Sequence, residues 1–555
     1  MGHSIVSQDF AQQKQGVYPV ENQCYRRNYP GSESAVCVCN SRHCDLIEPF
    51  LPEETSENRA VAYVSSKTGL RMEKRTLTWT RTADDEQDDG EDEEEELQAV
   101  ADDTEDFQED EEQKNAKFFC CRVTVHPNQR RQTILGFGGS FTDSVGFNLA
   151  GLPFNLQRSL LSSYFSRGED GIGYTLVRVP IGSTDFSESV YSYDDWEGDF
   201  QLLNFSLNRA DYDFKIPFMK LAQEIAGGAD KLRLFASPWS APGWMKTNGQ
   251  QVGGGSLKGN TTGPYYRTWA DYFVKFLDAY KRDGVAFWAV SAQNEPTAVP
   301  DYQSMGFTWD TQKEFIKWSL GPRLRQAGHG NVQIIILDDT RHLLPWWPNA
   351  VYADKEASQY VGGVGVHWYL NFVPAFVLDL TYYTNKDKFI LATEACTGTG
   401  EDAGPLLGSW YRAELYAADI ITNHQHFVSG WVDWNLAVDL AGGPTWLNSS
   451  VDSPILVNVT GYEFLKQPMF YALAHFSKFI PANSTSVGTD TPWWQFGSFD
   501  ATAVVTPTGQ RVAVLMNRKA KAITATLLDD TRRGQRLRVP MPARSLVTVL
   551  WGPPS

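Results

Sequence analysis

With 555 residues, 42% of them hydrophobic and 18 of them tryptophan, the chain is too long for one ordinary core and carries enough apolar side chains to pack a large domain and a smaller one. Its formal net charge of −18 is a local matter, because residues 84–113 hold 19 Asp or Glu and no Lys or Arg, which leaves the remainder at about +1. Nothing in that remainder offers the concentrated basic face that nucleic-acid binding requires, and no run of 18 apolar residues is present to form a transmembrane helix.

The chain begins MGHSIVSQDFAQQKQG, without the basic start and apolar stretch of a signal peptide. Cys24, Cys37, Cys39 and Cys44 follow at the spacing C-x12-C-x-C-x4-C. That spacing lacks the paired C-x2-C hooks of zinc sites and favours two disulfides in a small β-element over residues 1–48, with three pairings open and an oxidising compartment implied. Five glycosylation sequons, at Asn204, Asn260, Asn448, Asn458 and Asn483, point to the same secretory route. Residues 75–81 (RTLTWTR) alternate as a strand does, and the alternation resumes over 118–125. Between them lies an acidic insertion, residues 82–117, too poor in apolar side chains to offset the entropy of folding, and it reads as a disordered loop at a hairpin tip.

From residue 131 to 483 short apolar runs alternate with amphipathic helical stretches such as 268–281, which is the pattern of repeated βα units. Eight strands are predicted, at 133–138, 175–180, 232–238, 286–293, 332–338, 364–368, 389–394 and 427–434, and eight such units close a TIM barrel. In that fold the active site is built at the carboxyl ends of the strands. Polar and aromatic residues gather there: Asp185 after strand two, Trp239 after three, Asn294 and Glu295 after four, His367 and Tyr369 after six, Glu394 after seven, and Asp433, Trp434 and Asn435 after eight. After residue 484 alternating strands return. Residues 49–130 and 484–555 are each too short to bury a core and are expected to complete one another. The predicted fold is therefore α/β, a (β/α)8 TIM barrel with a discontinuous all-β sandwich and the disulfide-bonded N-terminal element.

Hydrolysis of a glycosidic bond needs one carboxylic acid to protonate the leaving oxygen and a second carboxylate on the other face of the sugar. Glu295, before Pro296, leaves its strand at a residue that cannot continue the hydrogen-bond ladder, and Glu394 ends the run FILAT in the same way. A separation of about 5–5.5 Å across the barrel would give retention of configuration. No metal or cofactor is called for: His367 stands alone at its strand end, without a second ligand at zinc spacing, and takes a structural or hydrogen-bonding role. Cys396, two residues past Glu394, is expected to face the core and take no part in catalysis.

The segment Asn294-Glu295-Pro296 resembles the acid/base motif of the clan of retaining (β/α)8 glycosidases. Together with SPWSAPGWMKTNG (237–249), HWYL (367–370), TEAC (393–396), WVDWNLA (431–437), GGPTW (442–446), VDSPI (451–455), KQPMFY (466–471) and HFSKFIP (475–481), it is similar to the glucosylceramidases of glycoside hydrolase family 30 over nearly the whole chain except residues 82–117. The resemblance implies a retaining β-glucosidase acting on glucosylceramide in membranes, with Glu394 as nucleophile and Glu295 as acid/base. It implies a glucose subsite lined by Asp185, Trp239, Asn294 and Trp434, and Tyr369 near the acid/base at the aglycone mouth. A saposin-type activator, a lysosomal targeting receptor, anionic lipids and a lysosomal location come with it. Two positions depart from the family: Thr184 stands where vertebrate members carry Cys before the aspartate, and Gln293 where others carry Glu before the motif, removing a negative charge and so tending to lower the acid's pKa. Other retaining glycosidases on this scaffold, namely a xylanase, an endo-glucanase or a galactosyl lipid hydrolase, are the alternatives, with a non-catalytic carbohydrate-binding relative behind them.

Overall fold

The computed structural model describes residues 23–55, 58–81, 121–447, 449–492, 495 and 497–554. The acidic insertion and Asn448 lie outside the described residues. Eight parallel strands form a closed barrel: β1 (Gly136–Ser140), β2 (Leu176–Ile181), β3 (Arg233–Pro238), β4 (Ala289–Ser291), β5 (Gln333–Thr340), β6 (Val361–His367), β7 (Phe389–Glu394) and β8 (Val428–Asn435). All eight overlap the predicted strands, because a parallel strand covered on both faces reads as a nearly unbroken apolar run. The helix predicted at 268–281 is observed as Pro264–Arg282, with its aromatic face buried against the barrel.

Alternation along the strands stacks the barrel interior in layers. Leu176, Phe235, Ala289, Ile335, Leu391 and Val432 form one buried apolar cluster that plugs the barrel. Two residues further along the same faces come Arg178, Ser237, Ser291, Thr393 and Trp434, so the next layer up is largely polar. That step from an apolar plug to a polar layer sets the floor of the site.

The β domain is drawn from both ends of the chain, as expected. Nine strands hydrogen-bond in a ring that closes where Thr485–Asp490 pairs with both Phe499–Val505 and Arg122–Thr133. Its core includes Trp79, Val123, Leu515, Leu537 and Trp551. One expectation is corrected here. The strands flanking the acidic insertion, Glu73–Arg81 and Arg122–Thr133, are not a hairpin, because Gln535–Met541 and Ile523–Asp529 lie between them in the sheet. Local alternation shows that both segments are strands but carries no information on which strand pairs with which.

The N-terminal cysteines pair as Cys24–Cys37 and Cys39–Cys44. Val36–Asn40, which carries two of them, is not a separate unit: it extends a sheet formed by Glu463–Lys466, Ile455–Asn458 and Val438–Asp439 from the far end of the barrel region. Among the described sequons Asn204, Asn260 and Asn483 are exposed and Asn458 is half-buried.

Candidate active site

Two β-bulges turn the catalytic-type side chains inward. In β7 the pairing with β6 passes from Val366–Ala392 to His367–Glu394, skipping Thr393, so Glu394 joins the inward face that alternation would have denied it. In β5 the register against β6 jumps from Leu337 to Asp339, and Leu337 and Asp338 both take positive φ, 64° and 58°. Glu295 is a third non-glycine residue of this kind, at φ 41°. Such left-handed conformations cost about 1–3 kcal/mol each and persist where surrounding contacts over-determine them. Here the contacts are charged. Gly365 leaves room for them, since a Cβ there would lie 3.1 Å from Asp338 Oδ1 and 2.9 Å from Thr393 Oγ1.

Arg178, fully buried on β2, is the hub. Its guanidinium donates to Glu394 Oε2, to Asn294 Oδ1 at 2.7 Å, to Asp338 Oδ2 at 3.0 Å and to Ser237 Oγ at 3.3 Å. It also lies 4.9 Å from the ring centre of Trp239 and 5.7 Å from that of Trp434. Holding Asn294 by its carbonyl oxygen leaves the amide N–H end as a donor. Tyr369 donates to the other oxygen of Glu394 at 2.6 Å. Both oxygens of Glu394 therefore carry a donor, which fixes the plane of the carboxylate. The Tyr369 hydroxyl thus belongs to Glu394, whereas the family resemblance puts Tyr369 near the acid/base.

His367 links the two carboxyl groups. One ring nitrogen, Nδ1, stands 3.1 Å from Glu295 Oε1 and 3.9 Å from Glu394 Oε1, and Nε2 stands 3.1 Å from Asp338 Oδ1. Burial alone would push this histidine down, but Glu394, Asp338 and Glu295 outweigh burial and raise it to about 10. It is an imidazolium at neutral and acid pH. Glu295, His367 and Glu394 place a potential ligand atom each within 4.8 Å of one another. Both imidazole nitrogens face carboxylate oxygens, Nδ1 toward Glu295 and Nε2 toward Asp338. Burial raises Glu295 above the usual carboxylate range against the hydrogen bond and charge of His367, while the charge of Glu394 adds to the rise. Burial would also raise Asp338, but Arg178 and His367 hold it far below that range.

Asp338→Asn removes a buried charge that pairs with both Arg178 and His367. Breaking such a buried pair costs on the order of 3–5 kcal/mol. The folded pKa of Asp338 is depressed, so its stabilisation is fully present above the unfolded value of about 3.9 and is lost only in stronger acid. Thermal melts at pH 6 are expected to show the deficit, and melts near pH 2 a smaller one. An unchanged melting temperature at pH 6 would contradict this assignment.

Asp185 lies beyond β2 on a loop tied down from several sides. Thr445 Oγ1 donates to its carbonyl at 2.6 Å, the Trp446 indole N–H donates to the Thr184 carbonyl at 3.0 Å, and Ser187 donates to Asp143, which is paired with buried Lys215 at 3.0 Å. Burial, then the charges of Glu394 and Glu295, push Asp185 up to about 8. A raised carboxyl pKa contributes its stability below the unfolded value of about 3.9 and loses it as pH rises through the folded value. Asp185→Asn is therefore expected to raise the melting temperature at pH 8 relative to the parent chain while leaving it nearly unchanged at pH 4. Parallel pH profiles for the two proteins would refute it.

Trp239 and Trp434 stack on one another, 5.0 Å between centres and 22° between planes, and are almost wholly buried. Cys396 packs in their cluster with its thiol toward the backbone carbonyl of Thr397, and burial raises it well above the ordinary thiol range. It faces the core, as expected. Two residues expected at the mouth do not face it: Asp433 accepts from Tyr416 on the helix Trp410–Gln425, and Asn435 accepts from Thr142. Alternation in β8 points Trp434 in and its neighbours away. Gln293 donates to the carbonyls of Trp239 and Asn294 at 2.8 Å each. Arg178 and Asp338 were not singled out from the sequence. The signal for Arg178 is present in YTLVRVP, a guanidinium inside an apolar strand, which requires buried partners.

The sequence matches two family models, the glycosyl hydrolase family 30 TIM-barrel domain over residues 134–480 and the glycosyl hydrolase family 30 beta sandwich domain over 483–549. It is 41% identical over 538 residues to putative glucosylceramidase 3 of Caenorhabditis elegans, covering 95% of each chain, and 40% identical over 530 residues to the lysosomal acid glucosylceramidase of Mus musculus, covering 94% of each. Among solved structures it resembles SrfJ from Salmonella typhimurium, with a TM-score of 0.76 and 26% identity over 89% of this chain and 99% of that one. A barrel of this topology, a β domain assembled from both chain ends, and these matches over most of the sequence identify the chain as a glycoside hydrolase that belongs to glycosyl hydrolase family 30.

Proposed function

We propose that the chain hydrolyses glucosylceramide to glucose and ceramide with retention of configuration, through a covalent glucosyl-enzyme. The observation that carries this reading is the approach of the two glutamates: an oxygen of Glu295 and one of Glu394 lie within 4.8 Å. Inverting enzymes hold their carboxyl groups about 6.5–9.5 Å apart to admit a water, and retaining ones about 5–5.5 Å apart.

In the first step Glu394, oriented by Arg178 and Tyr369, attacks the anomeric carbon while Glu295 gives its proton to the departing ceramide oxygen. The raised pKa of Glu295 keeps that proton available. The ester then formed at Glu394 carries no charge, so the part of the rise that the Glu394 charge added is lost, and Glu295 can take a proton from the attacking water in the second step. The Asn294 amide N–H serves as donor to the sugar 2-hydroxyl, and Asp185 receives other hydroxyls of the same ring.

The location follows the same reading: a lysosomal lumen reached by the secretory route, supported by two disulfides and by exposed sequons. No helix among the described residues is long and apolar enough to cross a membrane. Contact with membranes is peripheral, with anionic lipids, a saposin-type activator and a targeting receptor as the partners proposed from the family resemblance.

Initial rates on glucosylceramide, galactosylceramide and xylan at pH 5 test the substrate. Glucosylceramide is expected to be preferred by at least tenfold over the other two, and activity confined to xylan or to the galactosyl lipid would replace this reading.

A further inference from the structure

The loops after β2, β3 and β8 enclose an open cavity of about 580 Å³, and none of its lining residues belongs to the proposed glucose subsite. Its volume falls in the range of about 300–1,000 Å³ usual for small-molecule sites. Two indoles line it, Trp244 from the loop after β3 and Trp446 from the loop after β8. Each is pinned by its ring N–H, which donates to a backbone carbonyl at 3.0 Å: Trp244 to Asp194 and Trp446 to Thr184. With those donors engaged, both residues have only the hydrocarbon of the ring to offer a ligand. Phe200 packs edge-on against Trp244, 5.4 Å between ring centres, and fixes it further. The rest of the wall is polar. Asp195, Glu197 and Gln250 line it as exposed side chains and Gln251 as a half-buried one.

We propose that this cavity is a second carbohydrate site, which holds a neutral pyranose sugar apart from the one that is hydrolysed. The lining selects that class by elimination. An anion would meet two carboxylates, and the one lining cation, Lys258, already donates to the Trp244 carbonyl at 2.9 Å. A metal ion would need free ligands. Asp195 is engaged by the Ser192 hydroxyl at 2.6 Å and the Gln251 amide at 2.9 Å, and no cluster of three metal-ligating side chains among the described residues lies there. A wholly apolar ligand would strip water from the carboxylates and amides without replacing its hydrogen bonds. A hexopyranose avoids each of these costs, because it carries C–H groups on its ring faces for the indoles and hydroxyls around its edge for Glu197 and Gln250. The wall is also preformed, since the bond from Gln251 to Asp195 ties the loop after β3 to the loop after β2. Trp446 and its neighbour Thr445 bond the carbonyls of Thr184 and Asp185, so a sugar seated on Trp446 touches the segment that holds Asp185. This assignment goes beyond the proposed reaction and does not rest on glucosylceramide being its substrate.

The test uses the whole chain carrying Asp185→Ala and Glu394→Ala, which removes two sugar contacts of the catalytic site and keeps the added sugar intact, and follows cellobiose by saturation-transfer NMR at pH 5. Saturation is expected to pass from this protein to the ring protons of cellobiose and to level off as its concentration rises. Adding Glu197→Ala and Gln250→Ala is expected to lower the transfer at least fivefold. Sorbitol, an open-chain polyol without a flat C–H face, is expected to receive at least fivefold less than cellobiose. In the otherwise unaltered chain the pair Glu197→Ala and Gln250→Ala is expected to leave hydrolysis of a soluble aryl β-glucoside within twofold of the parent, which shows that the loops remain folded. No transfer from the Asp185→Ala, Glu394→Ala protein overturns the inference, as does transfer that the cavity substitutions leave unchanged or that sorbitol receives equally. Failure of the parent to hydrolyse glucosylceramide would refute the proposed substrate and leave this site standing.

Discussion

Replacing Glu394 by Ala is expected to lower kcat/KM for an activated aryl β-glucoside by on the order of 10⁵-fold, the scale on which removal of a covalent nucleophile acts. The protein should remain folded, because Arg178 keeps Asp338 and Asn294 as partners when the carboxylate is gone. Added azide should enter the vacated space and attack from the same side as Glu394. That is a single displacement, so the product is the α-glucosyl azide. Stereochemistry makes the test specific: a merely structural glutamate would give no rescue, and a β-configured product would assign the nucleophile elsewhere.

Replacing Glu295 by Ala removes the proposed general acid, an expected effect of about 10²–10⁴-fold, and it should depend on the leaving group. Ceramide departs as a poor leaving group and needs the proton, so turnover of glucosylceramide should fall toward the upper end of that range. A dinitrophenyl glucoside needs none, so its first step should continue while the second slows. The glucosyl-enzyme would then accumulate, with kcat and KM falling together. Azide should now yield the β-glucosyl product, because the nucleophile is intact. The basic limb of the pH–rate profile, which reports the raised pKa of Glu295 against burial and the opposing pull of His367, should vanish. Equal losses on both substrates with that limb preserved would remove Glu295 from the acid role.

The barrel was legible because its strands are buried on both faces and leave continuous apolar runs, and the two glutamates were legible because each stands where such a run ends. The supporting charges were much less so. Arg178 sits within a strand, where an apolar residue is the ordinary expectation, and only its contacts reveal why it is there. In ILDDT the sequence does not say which aspartate turns inward; the bulge at Leu337 and Asp338 decides it, and bulges depend on the register of neighbouring strands. Tyr369 followed from a motif, but whether its hydroxyl meets Glu295 or Glu394 depends on the path of the loop after β6. The mistaken hairpin at the acidic insertion has a similar origin, since two strands from elsewhere in the chain separate its arms. What local pattern determines was readable, and what long-range pairing determines was not.

The bond proposed between Glu394 and the sugar can be trapped. An activated 2-deoxy-2-fluoro-β-glucoside slows the second step more than the first and should trap the ester at acid pH. Peptide mass mapping of the inactivated protein is predicted to place one fluoroglucosyl group on Glu394, with activity lost in proportion to labelling. A label on Glu295 or Cys396, or full turnover by a protein that carries no label, would contradict it.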